Sequence, residues 1–182
     1  MDGTRLPTTN ELIEQHAPLL YRYAYRLTGD ADDAEDLVQQ AYLLAHQRRH
    51  QLREAAAARG WLISIVRNVF LKSLRHRHRG RSLDDIDEPQ VLDTTVHEPV
   101  PVEKLQQALL EMAEEFRSPL VLYYFEDFSY QEIAAQMGVP IGTVMSRLSR
   151  GKAYLRKRLA EDLETVQDSG IRHRESPEFA MH

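Results

Sequence analysis

Between Leu83 and Glu103 the chain carries seven acidic residues and no basic one, and prolines stand at 89, 99 and 101. A proline removes a backbone donor and clashes with the preceding helical turn, so three of them interrupt any helix here. Like charges extend such a segment, and no apolar period runs through it. The 182 residues are therefore cut into two blocks, each able to bury only a modest core. We set the first block at 1–82, a flexible acidic linker at 83–102 and the second block at 103–165. Residues 166–182, with Gly170, Pro177 and few apolar side chains, read as a disordered tail.

Neither block contains a convincing strand alternation, and both carry apolar residues at helical spacing. The expected fold is all-α, two small helical domains on one tether. In the second block the sharpest signal runs from Ser129 to Leu148. Ser129 and Glu132 have capping-box spacing and open a short helix, with Ile133, Ala134 and Met137 on its apolar side. Gly138 supplies a left-handed C-cap, and Pro140 presets the backbone for a second helix that runs past Arg158. This is the pattern of a helix-turn-helix. On the second helix Val144, Leu148, Gly151, Leu155 and Leu159 form the core stripe. Ser146, Arg150 and Lys157 face the other way, with Met145, Arg147 and Ser149 on the flanks. Arg150 can take guanine O6 and N7 together, while Ser146 and Ser149 make shorter contacts. Arg156, Lys157 and Arg158 are better placed for phosphates. A helix-turn-helix used only for packing would not need the seven basic residues between 116 and 160.

In the first block a helix is expected from Asn10 to Leu27, stopped at Thr28-Gly29. Asp30 caps the next, where Asp32, Asp33, Glu35 and Asp36 crowd the N-terminal end. On local grounds that cluster is capping and dipole compensation. A third helix, Arg59 to Arg77, has Trp61, Leu62, Ile65, Val66, Val69, Phe70 and Leu74 as a broad apolar stripe, with Arg67, Asn68 and Lys72 off it. It runs into five fixed cations and two histidines between Lys72 and Arg81, a density that marks a polyanion surface.

Net charge alone misleads. The formal value of −5 argues against a nucleic-acid partner, which needs a basic surplus. Resolved along the chain, residues 1–82 and 116–160 each carry +4, while 83–115 carry −9 and 161–182 carry −4. The absence of cysteine excludes disulfides, thiolate zinc sites and cysteine nucleophiles. No apolar run approaches the ~18 residues of a membrane span, and the start lacks a signal-peptide pattern, so a cytoplasmic protein is expected.

Four segments then resemble one family. These are Asp33-Ala-Glu-Asp-Leu-Val-Gln39 with the Ala-Tyr that follows, Gly60-Trp-Leu-Ile-Ser-Ile-Val-Arg-Asn68, Tyr130-Gln-Glu-Ile-Ala134 and Gly142-Thr-Val-Met-Ser-Arg-Leu148. In order and spacing, over about residues 12–160, they resemble the bacterial sigma-70 family of RNA polymerase sigma factors, and more closely its two-domain extracytoplasmic-function (ECF) group. The resemblance implies region 2 in the first block and region 4 in the second. It implies a non-enzymatic initiation factor without cofactor or metal, whose partners are core RNA polymerase, duplex minus-35 DNA and single-stranded minus-10 DNA. An anti-sigma factor is a further expected partner. It makes Asp33, Glu35, Asp36, Leu37 and Gln39 core-polymerase contacts, which lifts the docking reading of the acidic cluster above the capping one. It makes Arg67, Asn68, Lys72, Arg75 and Arg77 contacts to the opened minus-10 element, with a base-capturing loop around Arg48–Arg59. Trp61 could stack on a base, but its place on the apolar stripe favours a buried role. Thr143, Ser146, Arg147, Ser149, Arg150, Arg156 and Lys157 become the minus-35 contacts. Met145 stands where many relatives carry a basic residue, which shifts weight to Arg150. The acidic linker, in relatives threaded through the polymerase cleft, would occupy basic surfaces built for nucleic acid.

Three other readings compete. A metalloenzyme would use His46 with His50, or His76 with His78. The first pair lacks the glutamate of a zinc-protease helix, and the second sits among arginines that repel a cation. A sigma mimic that binds an anti-sigma factor without activating promoters has no need of Arg67, Lys72 and Arg150. A stand-alone repressor explains the helix-turn-helix but not the first block.

Overall fold

The structure, a computed structural model, describes residues 6–78 and 100–171, without the side chains of 76–78 and 161–171. All its regular elements there are helical. The first block holds α1 (Thr9–Thr28), α2 (Ala31–Gln47) and α3 (Ala58–His78), with two single 3₁₀ turns, Arg49–Gln51 and Ala55–Ala57, between α2 and α3. The second holds α4 (Val102–Glu111), α5 (Glu114–Tyr124), α6 (Tyr130–Met137) and α7 (Ile141–Ile171). The all-α expectation is met.

Local chemistry sets the ends of α1 and α6 and the start of α2. Thr8 caps α1 in a reciprocal box with Glu11. Gly29 closes it at φ 74°, donating its amide to the Tyr25 carbonyl at 2.8 Å. Asp30 then accepts from the Asp33 amide at 2.9 Å and starts α2. A proline does not by itself end a helix, since α1 passes through Pro18. Leu12 on one side of it and Leu20, Tyr23, Ala24 and Leu27 on the other are all buried, and packing of that stripe outweighs one lost backbone bond. The helix α7 continues to Ile171, past the boundary expected at 165. Nothing between Glu161 and Ser169 breaks a helix, and the first glycine there is Gly170.

In the first block, Leu37, Val38 and Ala41 of α2 meet Leu62, Val66 and Phe70 of α3 and the buried face of α1. In the second, Leu120, Leu122, Ile133, Val144 and Leu148 form the equivalent core. At Gly151 of α7 an added Cβ would come within 2.6 Å of Leu120 Cδ1, so only a missing side chain lets α5 and α7 approach this closely.

The blocks do not stand apart. The helix α1 packs on α4 and α5, and α3 packs on α6, so the two cores merge into one apolar cluster. At Gly29 the side chain of Leu110 on α4 comes close: a Cβ there would lie 2.2 Å from Leu110 Cδ1. A positive φ and this close approach both require glycine at that position.

Candidate nucleic-acid interface

The helix-turn-helix is built as its residues demand. The Ser129 hydroxyl and amide donate to Glu132 Oε2 at 2.6 and 2.8 Å, and the Glu132 amide donates back to Ser129 Oγ at 3.3 Å. Those bonds hold the Glu132 carboxyl below the usual carboxylate range. Gly138 ends α6 at φ 65°, its amide reaching the Ala134 carbonyl. Ile133 and Val144 are both fully buried and pin α6 to α7.

That arrangement turns one face of α7 outward. Ser146, Ser149, Arg150 and Lys157 are exposed on it, and Thr143 and Arg156 are half-buried. Arg147 is otherwise engaged: its guanidinium meets Glu115 Oε2 at 3.2 Å. Arg158, read as a phosphate contact, donates from Nε to Glu111 Oε2 at 2.7 Å. Ile141 and Met145 are exposed beside the serines; Ile141 carried no signal in the sequence beyond its place after Pro140.

On α3 the candidates divide. Asn68, Lys72 and Arg75 are exposed, whereas the Arg77 side chain lies outside the described residues. Arg67 is covered. Its Nε donates to Glu114 Oε1 of α5 at 3.1 Å, and the same oxygen accepts from Ser118 Oγ at 2.7 Å. The Arg67 and Glu114 side chains are only 12% and 15% exposed. Arg117 of α5 lies over the Phe70 ring of α3, 5.4 Å from its centroid. Trp61 is partly buried against the core, in keeping with a structural role.

A second polar seam joins the loop before α6 to the first block. Glu126 is almost fully buried, with Oε2 3.3 Å from Arg22. Arg59 donates to the Glu126 carbonyl and lies over the Phe128 ring at 4.4 Å. Burial raises the Glu126 carboxyl above its ordinary value, against the pull of Arg22. The Gln136 amide donates to the Gly60 carbonyl at 2.8 Å, and Gln106 bonds Arg26 at 3.1 Å. Sequence reading missed Glu114, Glu126 and Gln106, because their partners lie tens of residues away and no periodicity pairs them, and with Glu114 it missed Ser118, which bonds that carboxylate from one turn along α5.

On α2 the acidic cluster divides between a cap and an exposed side. Asp30 caps, while Glu35, Asp36 and Gln39 are exposed along one side and Asp33 is half-buried. Leu37 is 5% exposed and belongs to the core, so it supports this face and offers no surface. In the loop from 48 to 57, Arg48 and Arg53 are exposed, and Arg49 donates to the Pro7 and Leu6 carbonyls at 2.9 and 3.1 Å. His46 bonds the Thr9 hydroxyl at 3.0 Å. The described residues contain no cluster of three His, Asp or Glu able to hold a metal ion. No described helix is long and apolar enough to cross a membrane.

Comparison with known proteins puts these faces in context. The family described as Sigma-70 region 2 matches residues 12–80, and that described as Sigma-70, region 4 matches 102–155. The chain is 39% identical over 176 residues to the ECF RNA polymerase sigma factor SigE of Mycolicibacterium smegmatis, covering 92% of this chain and 68% of that one. It is 36% identical over 155 residues to the ECF RNA polymerase sigma factor SigL of Mycobacterium tuberculosis, covering 82% and 88%. Among solved structures, the sigma factor RpoE bound to the anti-sigma factor NepR from Bartonella quintana superposes with a TM-score of 0.68 at 26% identity, covering 83% of this chain and 96% of that one. The PhyRSL–NepR complex from Sphingomonas shares the fold, with a TM-score of 0.62 at 18% identity and 97% and 98% coverage. The chain belongs to the ECF RNA polymerase sigma factors, the transcription initiation factors its four sequence segments resembled.

Proposed function

We propose that this chain carries core RNA polymerase to promoters in the cytoplasm, with three faces dividing the work. The exposed carboxylates Glu35 and Asp36, with Asp33 and Gln39, dock the polymerase through α2. Asn68, Lys72, Arg75 and Arg77, joined by Arg67, hold the separated minus-10 strand along α3, with Arg48 and Arg53 on the preceding loop. Thr143, Ser146, Ser149 and Arg150 read the minus-35 duplex from α7, and Arg156 and Lys157 hold its phosphates. The observation that carries this reading is the match to region 2 and region 4 in order along one chain.

Arg67 reaches DNA only when Glu114 lets it go, so polymerase binding must withdraw α5 from α3. An anti-sigma partner is proposed because the Bartonella relative was solved with one. Run-off transcription with purified core polymerase tests the whole reading. Transcripts from a defined start must depend on the chain, and Asp36→Arg or Arg150→Ala must reduce them at least tenfold. No promoter-specific transcript would overturn it, and anti-sigma binding without transcription would point to a mimic.

A further inference from the structure

The first turns of α7 present an unusual face for a helix that meets a polyanion. Ile141 is 42% exposed and Met145 53%. They stand one turn apart on the same side. Neither joins the apolar core, so folding alone gives no reason for two large apolar side chains in water. Between them Gly142 carries no side chain, and the space its Cβ would occupy is open. Ser146 and Ser149 complete the face with hydroxyls. Arg147, the first cation of α7, is turned to Glu115, and Arg150 comes only at the tenth residue of the helix. The leading end of the outward face is therefore uncharged and half apolar.

Base edges in the major groove offer hydrogen-bonding groups, and thymine alone adds an apolar one, its C5 methyl. We infer that Ile141 and Met145 read thymine methyl groups in the upstream promoter element. Specificity there then rests on A·T pairs facing the first turns of α7, beside the guanine that Arg150 can take. This rests on the reading of α7 as the helix that enters the groove. The serines fit the same chemistry, since a hydroxyl tolerates either donor or acceptor and leaves discrimination to the methyl contacts.

The test uses holoenzyme assembled from core polymerase and the full chain. It enriches duplexes from a pool randomised across the upstream element. The enriched duplex is then resynthesised with deoxyuridine for each thymidine in turn, which deletes the methyl and keeps the pairing. Wild-type holoenzyme is expected to lose about fourfold in affinity at each contacted position, the worth of one buried methyl group. Ile141→Ala and Met145→Ala should bind the thymidine duplex about fourfold more weakly and lose that sensitivity at one position each. Met145→Leu, still apolar, should keep it. The inference is overturned if deoxyuridine changes nothing at any position, or if both alanine variants stay as sensitive as wild type. It is overturned equally if those variants weaken binding to core polymerase, which would set the pair against protein. If wild-type holoenzyme enriches no sequence in that element, the assignment of α7 as the reader falls instead.

Discussion

Two helices of this sigma factor are proposed to meet DNA, and they are kept in different conditions. The face of α7 lies open, with Ser146, Ser149, Arg150 and Lys157 toward solvent. The face of α3 is partly closed by the other block: Arg67 is held by Glu114, Gly60 by Gln136, and Phe70 by Arg117. The difference lies in what each helix packs against. The core stripe of α7 faces its own block, so the residues on its opposite side are exposed. The broad apolar stripe of α3 serves its own core and also the neighbouring block, and the polar residues at that edge are covered with it. A carboxylate there occupies the guanidinium proposed to meet the melted strand. On the proposed assignment, duplex reading can precede any rearrangement, whereas engagement of a melted strand by Arg67 must follow one.

The largest effect expected from this contrast is at its covered ion pair. Glu114→Ala leaves Arg67 without its carboxylate in a largely buried place, which should cost about 3 kcal/mol in urea denaturation. Glu115→Ala frees the more exposed Arg147 and should cost under about 1 kcal/mol. Equal losses would erase the distinction between covered and open faces.

The same contrast should appear as a distance. The cysteine-free chain accepts two unique labels, at Glu14→Cys on α1 and Lys152→Cys on α7, both exposed. Core polymerase should lower energy transfer between them, and Glu114→Gln should lower the amount of polymerase required. Unchanged transfer on binding would mean that α3 works with Arg67 still covered.

A finer comparison uses two helical glycines. Replacing glycine by alanine in a helix gains up to about 1 kcal/mol of propensity. Gly142→Ala meets nothing within 4 Å and should raise the melting temperature. Gly60→Ala places a Cβ 2.8 Å from Gln136 Nε2, so its gain should be cancelled or reversed. Identical shifts would argue that the cover over α3 is loose.

The smallest expected effect is on pH. The Glu126 carboxyl is raised above 4.5 by burial, so the folded state holds its proton more tightly than the unfolded chain. That contribution is fully present below pH 4.5 and is lost as pH rises through the folded-state value. Stability should therefore fall more steeply from pH 4.5 upward in wild type than in Glu126→Gln. Parallel urea midpoints across that window would show the carboxyl to be as well solvated as in the unfolded chain.

Much of the molecule could be read without coordinates where the signal was local. The box of Ser129 and Glu132, the stop at Gly138 and the apolar offsets through Leu159 are contacts within a few residues, and the helices formed as those offsets require. The exposed residues of α7 proposed to meet DNA follow from the same helical wheel. Leu37 is a different case, since the motif containing it marks a surface but its spacing puts it in the core. Arg67 and Arg147 carry the charge expected of DNA contacts, and only a partner 47 or 32 residues away reveals that each already has a carboxylate.

By itself the sequence determined two all-helical blocks, the caps that bound their helices, the helix-turn-helix and a charge that changes sign along the chain. Each depends on interactions within one or two turns, whose energies are nearly independent of the rest of the molecule. The tertiary structure alone decided that the blocks meet, that Glu114 and Glu126 enter the seam, and that Arg67 of α3 is covered while Ser146, Ser149 and Lys157 of α7 are exposed. Those outcomes depend on which surfaces of distant segments bury each other, a sum over many weak contacts that no window of sequence contains.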